Sequence, residues 1–298
     1  MNLIVSAISQ GLLWSILGIA LFLTFRILNF PDMTVEGTFP LGAATAVTLI
    51  ANGTDPFLAS LLAFAVGMAA GAVTAFLYTI GKIPILLAGI LVMTACLSVN
   101  LRIMGSANVS LLGRTTIFSP LSQLPKYFDG IVIGLISVTL VTLLLIFFLQ
   151  TELGQAFIVT GDNPIMARSI GINTSKMTAL GLMISNGLVA LGGALIAQNN
   201  GYADINMGIG IIVVALASII IGEVVFGQLT MNQRLAAITI GSIIYRFVLL
   251  IVLQLGFSTN DLNLLSSLLL AICLMLPRLQ KFFHFQKLVK RSLNDNND

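Results

Sequence analysis

Two carboxylates, Asp32 and Glu36, stand four residues apart in Asn29-Phe30-Pro31-Asp32-Met33-Thr34-Val35-Glu36-Gly37-Thr38-Phe39-Pro40-Leu41-Gly42, between apolar runs over 12–28 and 41–50. One helical turn separates them, so a helix would present both on one face. Pro31 and Pro40 each remove a backbone donor and disfavour helix at the preceding residue, which predicts a broken helix. With Arg26 and Asp55 these acids are the only charged residues ahead of Lys82. A helix broken at membrane depth is tolerated where it faces protein or a water-filled cavity. The chemistry open to such a pair is the lining of a pathway, either meeting a substrate ammonium or relaying a proton.

The chain that must position these acids is apolar: 57% of its 298 residues are hydrophobic and 8% are charged. A soluble domain carries about 25% charged residues, so a soluble globule is excluded. Long unbroken apolar runs, rather than period-2 alternation, point to helices and not to a barrel. The expected fold is all-α: a polytopic transmembrane bundle of about 8–9 spans with broken half-helices and a cytoplasmic coupling helix. The expected spans cover 11–28, a short second one to 51, 57–80, 85–101, 130–149, 177–197, 207–226, 235–257 and 264–276, after an uncharged lead-in over 1–10. The whole of 1–298 reads as one transmembrane domain, with no signal peptide. Cys96 and Cys273 lie inside apolar runs and read as packing residues. The lone His284 has no companions for a metal site, so no metal is expected.

Basic residues set the orientation. The tail over 278–298, with Arg278, Lys281, Lys287, Lys290 and Arg291, is expected in the cytoplasm, as are the Lys82 loop and the 150–176 loop. The 102–129 connection is then external, and about nine crossings put the N-terminus outside.

An internal repeat is expected between 11–50 and 187–221. Each stretch opens on Gly-Leu and an apolar run and reaches Asn (Asn29; Asn199-Asn200), then an acid (Asp32; Asp204), then a glycine (Gly37; Gly208). Transporters built from such repeats bring discontinuous helices together near the midplane. The expected pathway residues are Asn29, Asp32, Glu36, Asn200 and Asp204. Asp32, Glu36, Asp204, Glu223 and Arg246 all lie in or beside apolar runs, where a charge costs at least about 2.5 kcal/mol. Two readings stand: Arg246 pairs with an acid on a neighbouring helix, or the acids line the pathway. Glu223, at the end of its run, also fits a cytoplasmic position.

In the 150–176 loop, Asn163 suits a helix cap, Pro164 the first helical position and Gly171 a left-handed stop, so the spacing predicts a short helix over 164–170. The stretch Thr151, Gly154, Gly161, Asn163, Pro164, Ala167, Gly171 and Ile172 resembles the cytoplasmic loop of permeases in the branched-chain amino acid and ribose class of ABC importers, approximately T-x-x-G-x-x-x-x-A-x-G-x-N-P-x-A-A-x-x-x-G-I. The class also runs from its first span into N-F-A-H-G. This chain keeps Asn29-Phe30, replaces Ala-His by Pro31-Asp32, and has Gly42-Ala43 later. That departure is similar to the tryptophan/tyrosine-type subgroup, as are Lys82-Ile83-Pro84, Asn100-Leu101-Arg102-Ile103-Met104-Gly105 and Gly241-Ser242-Ile243-Ile244-Tyr245-Arg246.

The resemblance implies a permease of the inner (cytoplasmic) membrane that passes an amino acid, aromatic above all, from an extracytoplasmic binding lipoprotein to the cytoplasm by alternating access. It implies a homodimer in membrane lipid, with two copies of an ABC ATP-binding subunit that hold the ATP and Mg, and no cofactor in this chain. It puts ATPase coupling at Thr151, Gly154, Gly161, Asn163, Pro164, Ala167, Arg168 and Gly171. No G-x-x-x-x-G-K-[ST] occurs, so the chain is not expected to be an enzyme with its own ATPase. Basic residues are few and scattered, so nucleic acid is not an expected partner. The alternative is a proton-coupled secondary transporter using Asp32, Glu36 and Asp204; a passive channel is the third reading.

Overall fold

A computed structural model describes residues 2–121, 123, 125, 127–227, 229–256 and 264–275. The basic tail over 278–298 and His284 lie outside the described residues. In chain order the helices are α1 (Asn2–Leu21), α2 (Val35–Ala51), α3 (Pro56–Thr79), α4 (Ile85–Met104), α5 (Phe128–Gln150), α6 (Glu152–Asp162), α7 (Pro164–Ser169), α8 (Thr174–Asn200), α9 (Ile211–Phe226) and α10 (Met231–Gln254). A shorter apolar helix, α11, covers Leu264–Met275. Among the described residues, six helical segments are long and apolar enough to cross a membrane: Leu3–Ile27, α3, α4, α5, α8 and α10. The shorter apolar α2, α9 and α11 fill the remaining places of an all-α membrane bundle.

The first crossing differs from expectation. Residues 2–10 are helical, because nothing in that uncharged, proline-free stretch stops a helix. A π-helical turn, Phe22–Ile27, then ends the crossing. The break is also shorter than the two prolines predict. It covers 28–34, and Pro40 sits inside α2. A proline there leaves the carbonyl of residue 36 without its helical donor. The Gly208 backbone packs against that Glu36 carbonyl so closely that a side chain at 208 would collide with it. Because α2 starts at Val35, Asp32 lies ahead of the helix, and the two acids do not share a helix face.

α1 and α8 are the most buried crossing helices. α1 packs against α5, α8, α9 and α10, whereas α8 also packs against α2 and α3. Small residues allow this closeness. Gly42 of α2 meets the Ala190 backbone of α8, and Gly67 and Gly71 of α3 meet α8 at Asn186 and Leu182. α3, α4 and α5 turn large apolar side chains outward, among them Leu61, Phe76, Leu87, Leu140 and Phe147. Apolar surface of that kind on a soluble domain would be costly; against lipid tails it is the matching solvent.

The two ends of the bundle differ. At one end β1 (Asn108–Ser110) pairs antiparallel with β2 (Tyr202–Asp204), in the register Asn108↔Asp204, Val109↔Ala203, Ser110↔Tyr202. At the other end lie the 28–34 break, the Lys82 loop, α6 and α7, where residues of all four line one cavity. The loops expected in the cytoplasm therefore share one end, and the 102–129 and 201–206 connections share the opposite, ribbon end.

Candidate functional site

Asn29 takes a left-handed backbone, φ +54, which an Asn side chain tolerates better than most. Its Nδ2 donates to the Gly161 carbonyl at 3.3 Å. Gly161, in the last turn of α6, packs against the Ile27 carbonyl, and any side chain there would collide with it. The end of the first crossing and the root of α7 are thus seated on each other. Phe30 is buried and meets Tyr78 edge-on, centroids 5.3 Å apart.

Asp32 is 5% exposed. Its Oδ1 accepts the Thr34 N–H at 2.9 Å and its Oδ2 accepts from Asn186 Nδ2 of α8 at 2.7 Å. Asn186 Oδ1 in turn accepts the Thr38 hydroxyl at 2.9 Å, and the Thr34 and Thr74 hydroxyls meet at 2.8 Å. A carboxylate away from water survives when its lone pairs are occupied, and here both oxygens are. The network ties the break to α2, α3 and α8. The sequence reading missed Asn186, Thr34, Thr38 and Thr74. Their signal was polar side chains isolated in apolar runs, which need partners in lipid.

Glu36 lies in the first turn of α2, half-buried. Its Oε1 accepts the N–H of Gly210 at 3.2 Å. Gly210 is the N-cap of α9, at φ +78. A helix that begins inside the bundle has a positive end, and the Glu36 carboxylate stands there, while the Ile211 and Val213 N–H groups are met by the Gly208 and Gly210 carbonyls. It also lines a cavity of about 230 Å³ with Thr94, Asn100 and Asn206.

Asp204 is elsewhere. Its Oδ1 accepts the Asn206 N–H at 2.7 Å, and its Oδ2 accepts from Asn108 Nδ2 across the ribbon at 3.3 Å. Asn200, the exposed last residue of α8, is at that same end. The structure brings Glu36 and the 208–210 segment together. It leaves Asp32 near the coupling-loop end and Asp204 with Asn200 at the ribbon end. No hydrogen bond links the three acids among the described residues.

Arg246 differs from its paired-acid reading. It lies over the Trp14 ring, 3.9 Å from the centroid, and the described ion pairs leave it out. The negative face of the indole takes the role expected of an acid. Glu223 instead receives Arg26 through two hydrogen bonds of 2.9 and 2.6 Å, with Arg234 at 3.9 Å. The sequence reading placed Arg26 in no pair, since its partner lies 197 residues away.

The residues expected to couple to an ATPase form one arm. Thr151 Oγ1 accepts the Gly154 N–H at 3.2 Å and so caps α6. Gly154 fits tightly against the Phe148 carbonyl and Leu149. Asn163 Oδ1 accepts the N–H groups of Ile165 and Met166 at 3.1 and 3.0 Å, Pro164 opens α7, and Gly171 follows at φ +87. Ala167 is buried, whereas Ile165, Met166 and Ile170 are 79%, 55% and 60% exposed. Arg168 and Lys82 face a cavity of about 520 Å³ that also touches Asn29 and Tyr78. A capped helix with an apolar outer face, on a seated root, suits transmission of a push from a partner.

Comparison with known proteins fits this geometry. Residues 3–276 match the family described as branched-chain amino acid transport system / permease component. The chain is 41% identical over 274 residues to a tyrosine transport system permease protein of Clostridioides difficile (strain R20291), covering 91% of this chain and 90% of that one. It is 35% identical over 279 residues to an uncharacterized protein of Rickettsia prowazekii, covering 92% and 97%. A solved structure, PsaBC from Streptococcus pneumoniae in complex with Fab, shares the fold with a TM-score of 0.51 at 14% identity, over 91% of this chain and 89% of that one. A multi-pass chain of the cell membrane with this loop, this broken helix and a match along nearly its whole length belongs to the family of branched-chain amino acid transport system permease components.

Proposed function

We propose that the chain is the permease subunit of an ATP-driven importer of amino acids, aromatic ones above all. It works as a homodimer, with two ATP-binding subunits at the α7 end and an extracytoplasmic binding lipoprotein at the ribbon end. ATP and Mg belong to the ATP-binding subunits, and this chain needs no cofactor of its own. The tyrosine transport relative supports the substrate class.

The observation that carries the reading is the α6–α7 arm. Its outer face exposes Ile165, Met166 and Ile170, and its root is seated on the break by the Asn29–Gly161 hydrogen bond. Closure of the ATP-binding subunits moves α7. The Gly161 contact passes that movement to residues 27–34, and the Asp32–Asn186 network carries it to α2 and α8 together. Tight backbone packing at Gly42, Gly67 and Gly71 makes these helices tilt as a unit, since packed interfaces shift between discrete arrangements rather than deform.

The proton-coupled alternative needs Asp32, Glu36 and Asp204 in one relay. The two readings separate in proteoliposomes. The proposal expects uptake of labelled L-tyrosine only when the ATP-binding subunit, the binding protein and ATP are all present. Uptake by this chain alone in a proton gradient overturns it.

A further inference from the structure

We propose that the cavity between α2, α4 and the 205–209 segment holds the primary ammonium of the transported molecule, with Glu36 and Asn100 as its acceptors. This rests on the amino-acid importer reading, and it names a site within that reading.

The cavity has about 230 Å³ of space, and no basic residue lines it. Asn100 is fully buried in a crossing helix. Asn100 also lines the cavity, and its Nδ2 donates to the Gly37 carbonyl at 3.5 Å, so Oδ1 is the end of the amide still to be met. That Oδ1 is buried and has no hydrogen-bond partner among the described residues. An amide oxygen left unmet away from water is destabilising, so its place in a packed helix asks for a partner. Glu36 spends one oxygen on the Gly210 N–H; no partner for Oε2 occurs among the described residues. The Thr94 hydroxyl, also in the lining, gives its hydrogen back to its own helix, to the Ile90 and Leu91 carbonyls at 3.1 and 2.9 Å, so what it has left is the capacity to accept.

The lining thus presents a carboxylate, an amide oxygen and a hydroxyl oxygen. Three acceptors and one negative charge complement a group with three donors and one positive charge, which is a primary ammonium. A carboxylate-bearing ligand without an amine finds no donor set there. Asp32 does not compete for this role, because both its oxygens already have partners.

The test uses the permease with its ATP-binding subunit in nanodiscs, without the binding protein, so that selectivity upstream does not intrude. Saturation-transfer NMR is recorded with tyramine, which keeps the amine and lacks the carboxylate, and with 3-(4-hydroxyphenyl)propionate, which does the reverse. Tyramine is expected to show transfer that L-tyrosine displaces, and the propionate none. Glu36→Gln, which keeps an acceptor for Gly210, is expected to weaken tyramine binding about tenfold or more. Asn100→Leu should do the same. Equal transfer from both probes, unchanged tyramine binding in Glu36→Gln, or displacement of tyramine by sodium chloride but not choline chloride each overturns the proposal. The last outcome makes the cavity an inorganic cation site. Uptake of L-tyrosine by the complete transporter is measured separately. Its absence alongside intact tyramine binding removes the aromatic importer reading and leaves the amine site standing.

Discussion

Asn29 and Gly161, 132 residues apart in sequence, are joined by a 3.3 Å hydrogen bond from the Asn29 amide to the Gly161 carbonyl. The bond links the end of the first crossing to the root of the α6–α7 arm, with no covalent connection nearby. Gly161→Val drives a branched side chain into the Ile27 carbonyl and should separate the two. The expected result is an assembled complex that hydrolyses ATP at its basal rate while tyrosine uptake falls about tenfold or more, the loss of roughly 1.4 kcal/mol of coupling. Full uptake with this variant removes the contact from the transmission path.

Gly171 holds φ +87 with open space around it. A β-branched residue fits that region poorly, at a cost of about 1–3 kcal/mol. Gly171→Val should therefore loosen α7 without a clash elsewhere. Binding-protein-stimulated ATP hydrolysis should drop, while thermal stability of the permease in detergent barely changes. Retained stimulation would mean that α7 does not transmit.

Asn186→Leu removes the partner of a buried carboxylate oxygen and the acceptor of the Thr38 hydroxyl. Hydrogen bonds to charged groups contribute about 1.5–3 kcal/mol. The variant should unfold at clearly lower temperature in a detergent melt, and Asp32→Asn, which needs less from its surroundings, should lose less. A melt unchanged by Asn186→Leu would show that Asp32 draws its support elsewhere.

The proposed homodimer has a direct check. Native mass measurement of the complex in detergent should give two permease chains with two ATP-binding subunits. A single permease chain in an active complex contradicts the proposed symmetry.

Local signals were legible where the physics is local. Asn163, Pro164 and Gly171 announced a capped, stopped helix, and α7 runs over Pro164–Ser169. The membrane class and most helix spans followed from apolar run length alone. Pro40 was misleading because the 208–210 segment, about 170 residues downstream, packs against the carbonyl that proline frees. The pairing of Asp32 with Asn186, Arg26 with Glu223 and Arg246 with Trp14 each needs the three-dimensional neighbour. Apolar runs say that a charge must be satisfied without saying by whom. The β1–β2 ribbon left no trace in the sequence reading, since each strand is three residues long and pairs across two distant connections.

The Asp32–Asn186 hydrogen bond also sets a problem of timing. Asp32 precedes its partner by 154 residues, and chains lengthen at about 5–20 residues per second. The ribosome therefore adds Asp32 roughly 8–30 seconds before the amide that satisfies its carboxylate exists. During that interval the acid must carry a proton or stay at the water interface. In the second case α1 and α2 reach their final depth only when α8 arrives to complete the pair.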